Sequence, residues 1–245
     1  LEAASDSFSL DYFTDAARTV VESRVKQSEV NFQIEFTPNR KTIGYGVERS
    51  NVDSPFSRFY VNYSHGFKGL LDSDFQYDKV QLYYKQPIII GPLGRSNVIV
   101  EVGKTFGTIP LGLMSVIPGN QTYFTIENTF SNLNFYEFVS DQYATVQWEH
   151  NFGGRLFSRI PFMRKLNWRE IIGAKAAYGS VSDANRAINA SGLTYTAPEN
   201  GYWEYSAGIG NIFKVFRLDF GWRGNYLDTP DAQKFTVKGS FGFYF

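Results

Sequence analysis

The final stretch of the chain, residues 234–245, alternates strictly between apolar and polar residues. One side of an extended strand would carry Phe235, Val237, Phe241, Phe243 and Phe245, and the other side lysine, threonine and serine. Because successive side chains of a β-strand point to opposite sides, the pattern predicts a strand with one apolar and one solvated face. The same alternation recurs upstream, near residues 32–36, 59–63, 80–84, 98–102, 143–150, 202–210 and 215–223.

The polar sides of these segments hold charges, amides and glycines, which favour contact with water. Strands of about 9–12 residues match tilted membrane-spanning strands and exceed the roughly 5–6 residues usual in globular proteins. We therefore predict an all-β fold, an antiparallel transmembrane β-barrel over residues 29–245, with about ten or eleven strands visible. The alternative is a soluble antiparallel sheet with one wet face.

The first 28 residues form a lead-in segment that lacks the clear alternation. Within it, residues 10–27 fit either an amphipathic helix or an irregular strand, and the pattern does not choose between them.

The connections alternate between short turns and long loops, as in membrane barrels. If the carboxyl terminus lies in the periplasm, strand parity places the loops 180–201 and 228–233 outside and the turn 212–214 inside. Parity also places 153–167 inside. This segment mixes four basic residues with apolar ones, so it fits either a membrane interface with anionic lipid headgroups or an ordinary linking loop.

Composition narrows the function classes. The chain of 245 residues has 24 Lys and Arg against 24 Asp and Glu, which argues against a nucleic-acid partner. It has no cysteine, so disulfides and thiolate metal sites are excluded. No apolar run approaches a membrane helix, and no signal peptide is visible. A start at Leu1 rather than Met indicates a processed or truncated product.

The order of features from residue 119 onward resembles the carboxyl-terminal end of the BamA/TamA-type outer-membrane assembly barrels. In those proteins a long extracellular loop folds back into the lumen, and five closing strands follow it. The loop here would be residues 118–142. The strands would be YATVQWEHNF, REIIGAKAAYG, YWEYSAGIGNIF, VFRLDFGWRGNYL and KFTVKGSFGFYF.

The sequence is also similar, over about residues 29–245, to an uncharacterised Bacteroidetes-type outer-membrane barrel family. That family usually carries an amino-terminal carboxypeptidase-regulatory-like sandwich and a domain of unknown function. The resemblance rests on FKGLLDSDFQYDKVQL, KTFGTIPLGLMSVIPGNQTY, YEFVSDQYA and WRGNYLDTP with KGSFGFYF. It implies that the chain supplies about the last ten strands of a sixteen-stranded barrel.

The BamA-type resemblance also implies lumenal contacts between loop and wall. The inward loop of that group carries an Arg-Gly-aromatic motif, whereas this chain has Asn134-Phe-Tyr-Glu-Phe138, and Lys175 stands where the group has an aspartate. The hypothesis is a charge swap in which Glu137 of the loop pairs with Lys175 of the wall, with Glu149 nearby. The alternative is that Glu137 faces solvent.

The resemblance assigns a role to the aromatic residues of the last strand. Phe241, Phe243 and Phe245 would form the signal that the outer-membrane assembly machinery recognises during insertion, on the strand that closes the seam. The implied location is the bacterial outer membrane. The implied partners are outer-membrane lipid, that machinery, and other outer-membrane or periplasmic subunits.

Two functions remain open. The first is assistance in the assembly or translocation of outer-membrane proteins or lipids. The second is a loop-plugged scaffold without transport activity. A pore or an outer-membrane lipid enzyme is a weaker alternative. The histidines, His65 and His150, belong to no recognisable catalytic or metal-binding spacing. We therefore predict no enzymatic activity, no catalytic or metal-binding residue and no cofactor.

Overall fold

The protein was analysed as a computed structural model, which describes residues 11–15, 17–46, 50–52, 55–190 and 196–242. Its main element is one antiparallel sheet of nine strands. The strands of this sheet are β1 (Ser28–Phe36), β2 (Arg58–Phe67), β3 (Tyr77–Ile89), β4 (Arg95–Phe106), β5 (Gln142–Asn151), β6 (Arg169–Ser180), β7 (Tyr202–Ile212), β8 (Phe216–Arg223) and β9 (Phe235–Phe241).

The nine strands form a simple meander, because each pairs only with its neighbours in the sequence, from β1 at one edge to β9 at the other. The prediction of an all-β antiparallel fold is confirmed. The sheet has nine strands instead of ten or eleven, and β1 and β9 do not pair within the described residues, so the sheet is open. The expected five closing segments are β5–β9 in the expected order.

The strict alternation gives the sheet two unlike surfaces. The surface that we call the apolar face carries large apolar side chains that remain exposed in most strands, namely Phe32, Val61, Leu82, Val102, Trp148, Ile172, Trp203 and Val237. The opposite surface, the charged face, carries the ionic and amide side chains of the same strands. A row of aromatic side chains crosses the apolar face through Tyr205, Trp222 and Phe235. The ring centroids of neighbours in this row lie 5.5 Å apart.

The connections sort to the two ends of the sheet by strand parity. One end, the turn end, holds connections 37–57, 90–94, 152–168 and 213–215, and the other, the loop end, holds 68–76, 107–141, 181–201 and 224–234. The predicted grouping of 153–167 with the tight turn, on the side opposite to 180–201 and 228–233, is confirmed. The prediction of short turns on one side is wrong, because 37–57 and 152–168 at the turn end are longer than 68–76 and 224–234 at the loop end. The described helices are short: α1 (Pro161–Leu166) lies at the turn end and α2 (Asp183–Ala187) at the loop end.

The connection 107–141, which we call the covering segment, lies over the charged face. Its side chains Ile117, Phe130, Leu133 and Phe138 pack with Ala177 and Tyr202 of the wall, all nearly inaccessible to water. A second cluster joins Ile109, Leu111, Met114 and Val139 to Tyr77. The buried core therefore lies between the covering segment and the sheet. The prediction that the loop 118–142 folds back onto the polar side of the sheet is confirmed, although the segment starts earlier, at 107, and Gln142 is already the first residue of β5.

The lead-in segment is described from residue 11 onward, apart from residue 16. Tyr12–Phe13 pairs antiparallel with Val21–Glu22, so the described part contains a small hairpin and no helix. Tyr12 is buried and hydrogen-bonds Glu22, which ties the hairpin closed.

None of the helices in the described ranges is long and apolar enough to cross a membrane.

Candidate functional site: the charged face and its covering segment

The carboxylate of Glu204 on β7 anchors the backbone of the covering segment. Its oxygens accept hydrogen bonds from the backbone N–H groups of Ser131 and Asn132, at 2.7 and 3.0 Å. The Tyr202 hydroxyl donates a third, at 2.9 Å. The carboxylate is almost fully buried, and these donors offset much of the cost of removing it from water.

Arg223 on β8 forms a buried ion pair with the covering segment. Its Nη2 lies 2.6 Å from Glu137 Oε1, with side-chain exposures of 0% and 6%. Its Nη1 donates to the Asn132 carbonyl at 3.2 Å, and the guanidinium lies 5.1 Å from the centre of the Tyr202 ring. One arginine thus binds a carboxylate, a carbonyl and an aromatic face together, a combination that its planar fork of donors suits.

The predicted pairing of Glu137 with Lys175 is wrong. The loop glutamate does reach a cation of the wall, but that cation is Arg223 on β8, two strands away from Lys175 on β6. Lys175 instead donates to the Thr129 carbonyl at 2.6 Å and lies 3.8 Å from Glu204. Arg223 also donates to the Asn132 carbonyl, so its guanidinium holds the covering segment at two points.

Lysine ammonium groups of the wall bind carbonyl oxygens of the covering segment. In addition to Lys175, Lys238 on β9 donates to the carbonyls of Asn120 and Thr122, at 2.8 and 2.6 Å, and is buried. The covering segment carries three acidic residues and no lysine or arginine. A segment with this charge complements the basic groups that the wall presents to it.

A further ionic bridge joins strands of the wall to one another. Arg217 on β8 binds Glu149 on β5 at 2.6 Å and Asp219 on its own strand at 2.7 Å. Asp219 also accepts a hydrogen bond from Thr125 of the covering segment, at 3.0 Å. Glu149, predicted as a neighbour of the Glu137 contact, therefore takes part in a separate bridge.

The Arg217 bridge requires the sheet to curve. Two strands lie between β5 and β8, and three strand spacings of about 4.8 Å would hold their backbones roughly 14 Å apart in a flat sheet. Arg217 also lies four residues along β8 from Gly221, the residue in register with Glu149, which adds roughly 13 Å in a flat sheet. The two side chains therefore meet because the charged face is concave. Glycine at position 208 leaves room for the Asp219 carboxylate on this face, because a Cβ there would stand 2.3 Å from an Asp219 oxygen.

The covering segment also reaches the free edge of the last strand. The Gly239 N–H donates to the Tyr123 carbonyl at 2.9 Å, and the Thr125 N–H donates to the Gly239 carbonyl at 2.8 Å. Phe124 therefore forms a parallel bridge with Gly239. Along a strand, residues whose N–H and C=O groups point to one side alternate with residues whose groups point to the other side. The covering segment therefore occupies one position of this edge, and the other outward-pointing backbone groups of β9 lie along the same edge.

A scan of family models matches residues 15–184 to the C-terminal domain of a family of unknown function, DUF5686. The match includes β1–β6 and the covering segment, which is more than half of the chain. The chain belongs to this family. No curated protein matches the sequence. The matched family part contains Glu137, Glu149 and Lys175, but it ends before β7, so Glu204, Arg217, Arg223 and Lys238 lie beyond it.

The aromatic residues of the last strand are described in part. Phe241 lies on the apolar face, largely exposed, with its ring 5.1 Å from that of Phe216 on β8. The predicted signal residues Phe243 and Phe245 lie outside the described residues.

Each histidine contacts a polar side chain on a neighbouring strand. His65 Nδ1 lies 2.7 Å from Asp78, and His150 Nδ1 lies 2.7 Å from the Ser96 hydroxyl. The Ser96 and His150 side chains are both buried, so a substrate has no access to the hydroxyl. In the described parts of the chain, no three His, Asp or Glu side chains are grouped so as to hold a metal ion.

Proposed function

We propose that this domain forms part of the wall of a bacterial outer-membrane β-barrel whose interior is plugged by the covering segment. In this role it acts as a membrane-embedded scaffold rather than as an open channel. The domain contacts outer-membrane lipid through the apolar face, and a plugged wall of this kind suits a subunit of a larger outer-membrane complex.

The observation that carries the proposal is the exposure of large apolar side chains along the apolar face. It extends from Phe32 on β1 to Val237 on β9, whereas exposed apolar patches of water-soluble monomers are usually limited to about 300–600 Å². A hydrocarbon environment removes this surface from water. The concave charged face is at the same time filled by buried ion pairs, which is the arrangement of a barrel with a polar interior.

Membrane extraction tests the proposal directly. Membranes from cells that produce the protein are washed with alkaline carbonate and then with urea. We expect the chain to stay with the outer-membrane fraction through both washes, because the apolar face is embedded in lipid. Release of the chain into the wash would contradict the membrane location.

A second candidate function is assembly of other strands at the edge of β9. The covering segment holds this edge through two hydrogen bonds to the backbone of Gly239, and each such bond contributes about 1 kcal/mol. An unpaired strand edge is a template for another strand. A segment that occupies the edge and can leave it would admit a client strand, as expected for outer-membrane protein assembly.

Locking this contact separates the two functions. Phe124→Cys with Gly239→Cys would place two thiols at bridged positions in a protein that has no cysteine of its own. If the edge accepts client strands, oxidation should lower the amount of folded outer-membrane proteins in the cell, and a reductant should restore it. Each single variant serves as the control. Unchanged levels with the disulfide fully formed would favour the scaffold.

A further inference from the structure

A cavity of about 840 Å³ opens at the turn end of the sheet, away from the covering segment. One wall is the last turn of α1 with Trp168 after it, and the other is the tight turn that contains Phe213. The Asn211 side chain donates to the Asn167 carbonyl at 2.7 Å and joins these walls. The volume lies within the range of about 300–1,000 Å³ that is typical of ligand sites.

Four cations line this cavity: Arg164, Lys165, Arg169 and Lys214. No acidic residue lines it, and no carboxylate in the described ranges forms an ion pair with any of the four. On the charged face, by contrast, Lys175, Arg217, Arg223 and Lys238 each bind a carboxylate or a carbonyl. Basic groups held together without counter-charge raise the local concentration of anions.

Four apolar side chains also line the cavity, Met163, Leu166, Trp168 and Phe213, together with the polar residues Ser158, Asn167 and Asn211. Phe213 is 89% exposed, and Phe162, which precedes the lining residue Met163 in α1, is 72% exposed. Aromatic side chains and cations at the end of membrane-spanning strands fit the level of the lipid headgroups. The site therefore combines a place for an anion with a place for a hydrocarbon chain.

We propose that this cavity binds the phosphate-bearing headgroup of an anionic phospholipid, with the cations on the phosphate and the aromatic side chains against the first part of the acyl chains. The proposal rests on the membrane location proposed above. It gives the segment 152–168 a specific role, because α1 and the residues around it form most of the lining. It also explains why two connections and the first residue of β6 contribute cations to a single opening.

Native mass spectrometry of the purified full chain in detergent micelles tests this site. Phosphatidylglycerol and phosphatidylcholine with identical acyl chains are titrated separately. We expect the chain to retain phosphatidylglycerol preferentially. The triple variant Arg164→Gln, Lys165→Gln, Lys214→Gln should bind it roughly a hundredfold more weakly, because each basic group near an anionic lipid contributes about a factor of five. The single variant Lys214→Gln, on an exposed turn, should lose about fivefold.

A charge-matched control removes three cations from the loop end, with Lys26→Gln, Lys68→Gln and Arg186→Gln, and should bind phosphatidylglycerol as the wild type does. Equal loss in this control, or no preference for phosphatidylglycerol in the wild type, would overturn the site. Displacement of the lipid by inorganic phosphate at equal concentration would overturn the lipid as its ligand. Lipid binding is measured in micelles, so a negative result counts against this site alone. Release of the chain by the carbonate wash counts instead against the membrane location.

Discussion

Replacing Arg223 by glutamine is expected to detach the covering segment from the wall and to lower the free energy of unfolding by about 3–5 kcal/mol. The variant leaves Glu137 with a buried charge and no cation, since their side chains are 6% and 0% exposed in the native pair. It also removes the bond to the Asn132 carbonyl at 3.2 Å. The loss should appear as a lower unfolding midpoint of the protein in detergent micelles.

Chymotrypsin provides a second readout for Arg223→Gln, because the covering segment contains many aromatic residues and no tryptic site. Phe130 and Phe138 are inaccessible in the native fold, so cleavage after them reports release of the segment. The control is Arg186→Gln, which breaks an ion pair with Glu199 that is about half exposed and should cost less than about 1 kcal/mol. Equal stability of the two variants would show that the buried pair does not hold the segment.

The exchanged pair Arg223→Glu with Glu137→Arg tests whether charge alone is needed. We expect only partial recovery, because the exchanged glutamate cannot donate to the Asn132 carbonyl or lie over the Tyr202 ring as a cation. Full recovery would mean that these additional contacts of Arg223 are without consequence for stability.

Val146→Arg, in the middle of the apolar face, is the second large expected effect. Val146 on β5 is 45% exposed, and an arginine at the bilayer midplane of a barrel costs about 2–4 kcal/mol. We expect the variant to insert poorly into lipid vesicles, measured as the fraction of chain that becomes resistant to protease. In water the same change would cost little, since surface substitutions usually lie within about 0.5 kcal/mol.

The matched control is Tyr45→Arg, an equally drastic change at a side chain that is 95% exposed in the connection 37–57. It should insert as well as the wild type. If Val146→Arg inserts equally well, or makes the isolated chain more soluble without loss of stability, the apolar face does not contact lipid and the soluble sheet becomes the better interpretation.

The alternation of residues was sufficient to predict much of the wall. Segments such as 202–210 and 215–223 place every second side chain on the same face, and this property depends only on the local backbone. The predicted segments therefore coincide with β5–β9, and strand parity placed the connections at the correct ends. The number of strands was predicted less well, at ten or eleven instead of nine. Residues 37–57 add no strand to the main sheet, because they contain only a two-residue pairing of Thr42–Ile43 with Ser50–Asn51.

The partners within the charged face depended on the tertiary structure. Periodicity assigned Lys175 and Arg223 to the same face of their strands, but it contains no information about the path of the covering segment across that face. Glu137 and Arg223 are 86 residues apart in the chain, and their contact follows from where Ile117, Phe130 and Phe138 pack against Tyr202. The absence of basic residues from 107–141 was a signal in the sequence that this segment binds cations of the wall. The choice of Arg223 needed the geometry, because a buried ion pair is stable only where further hydrogen bonds satisfy both groups.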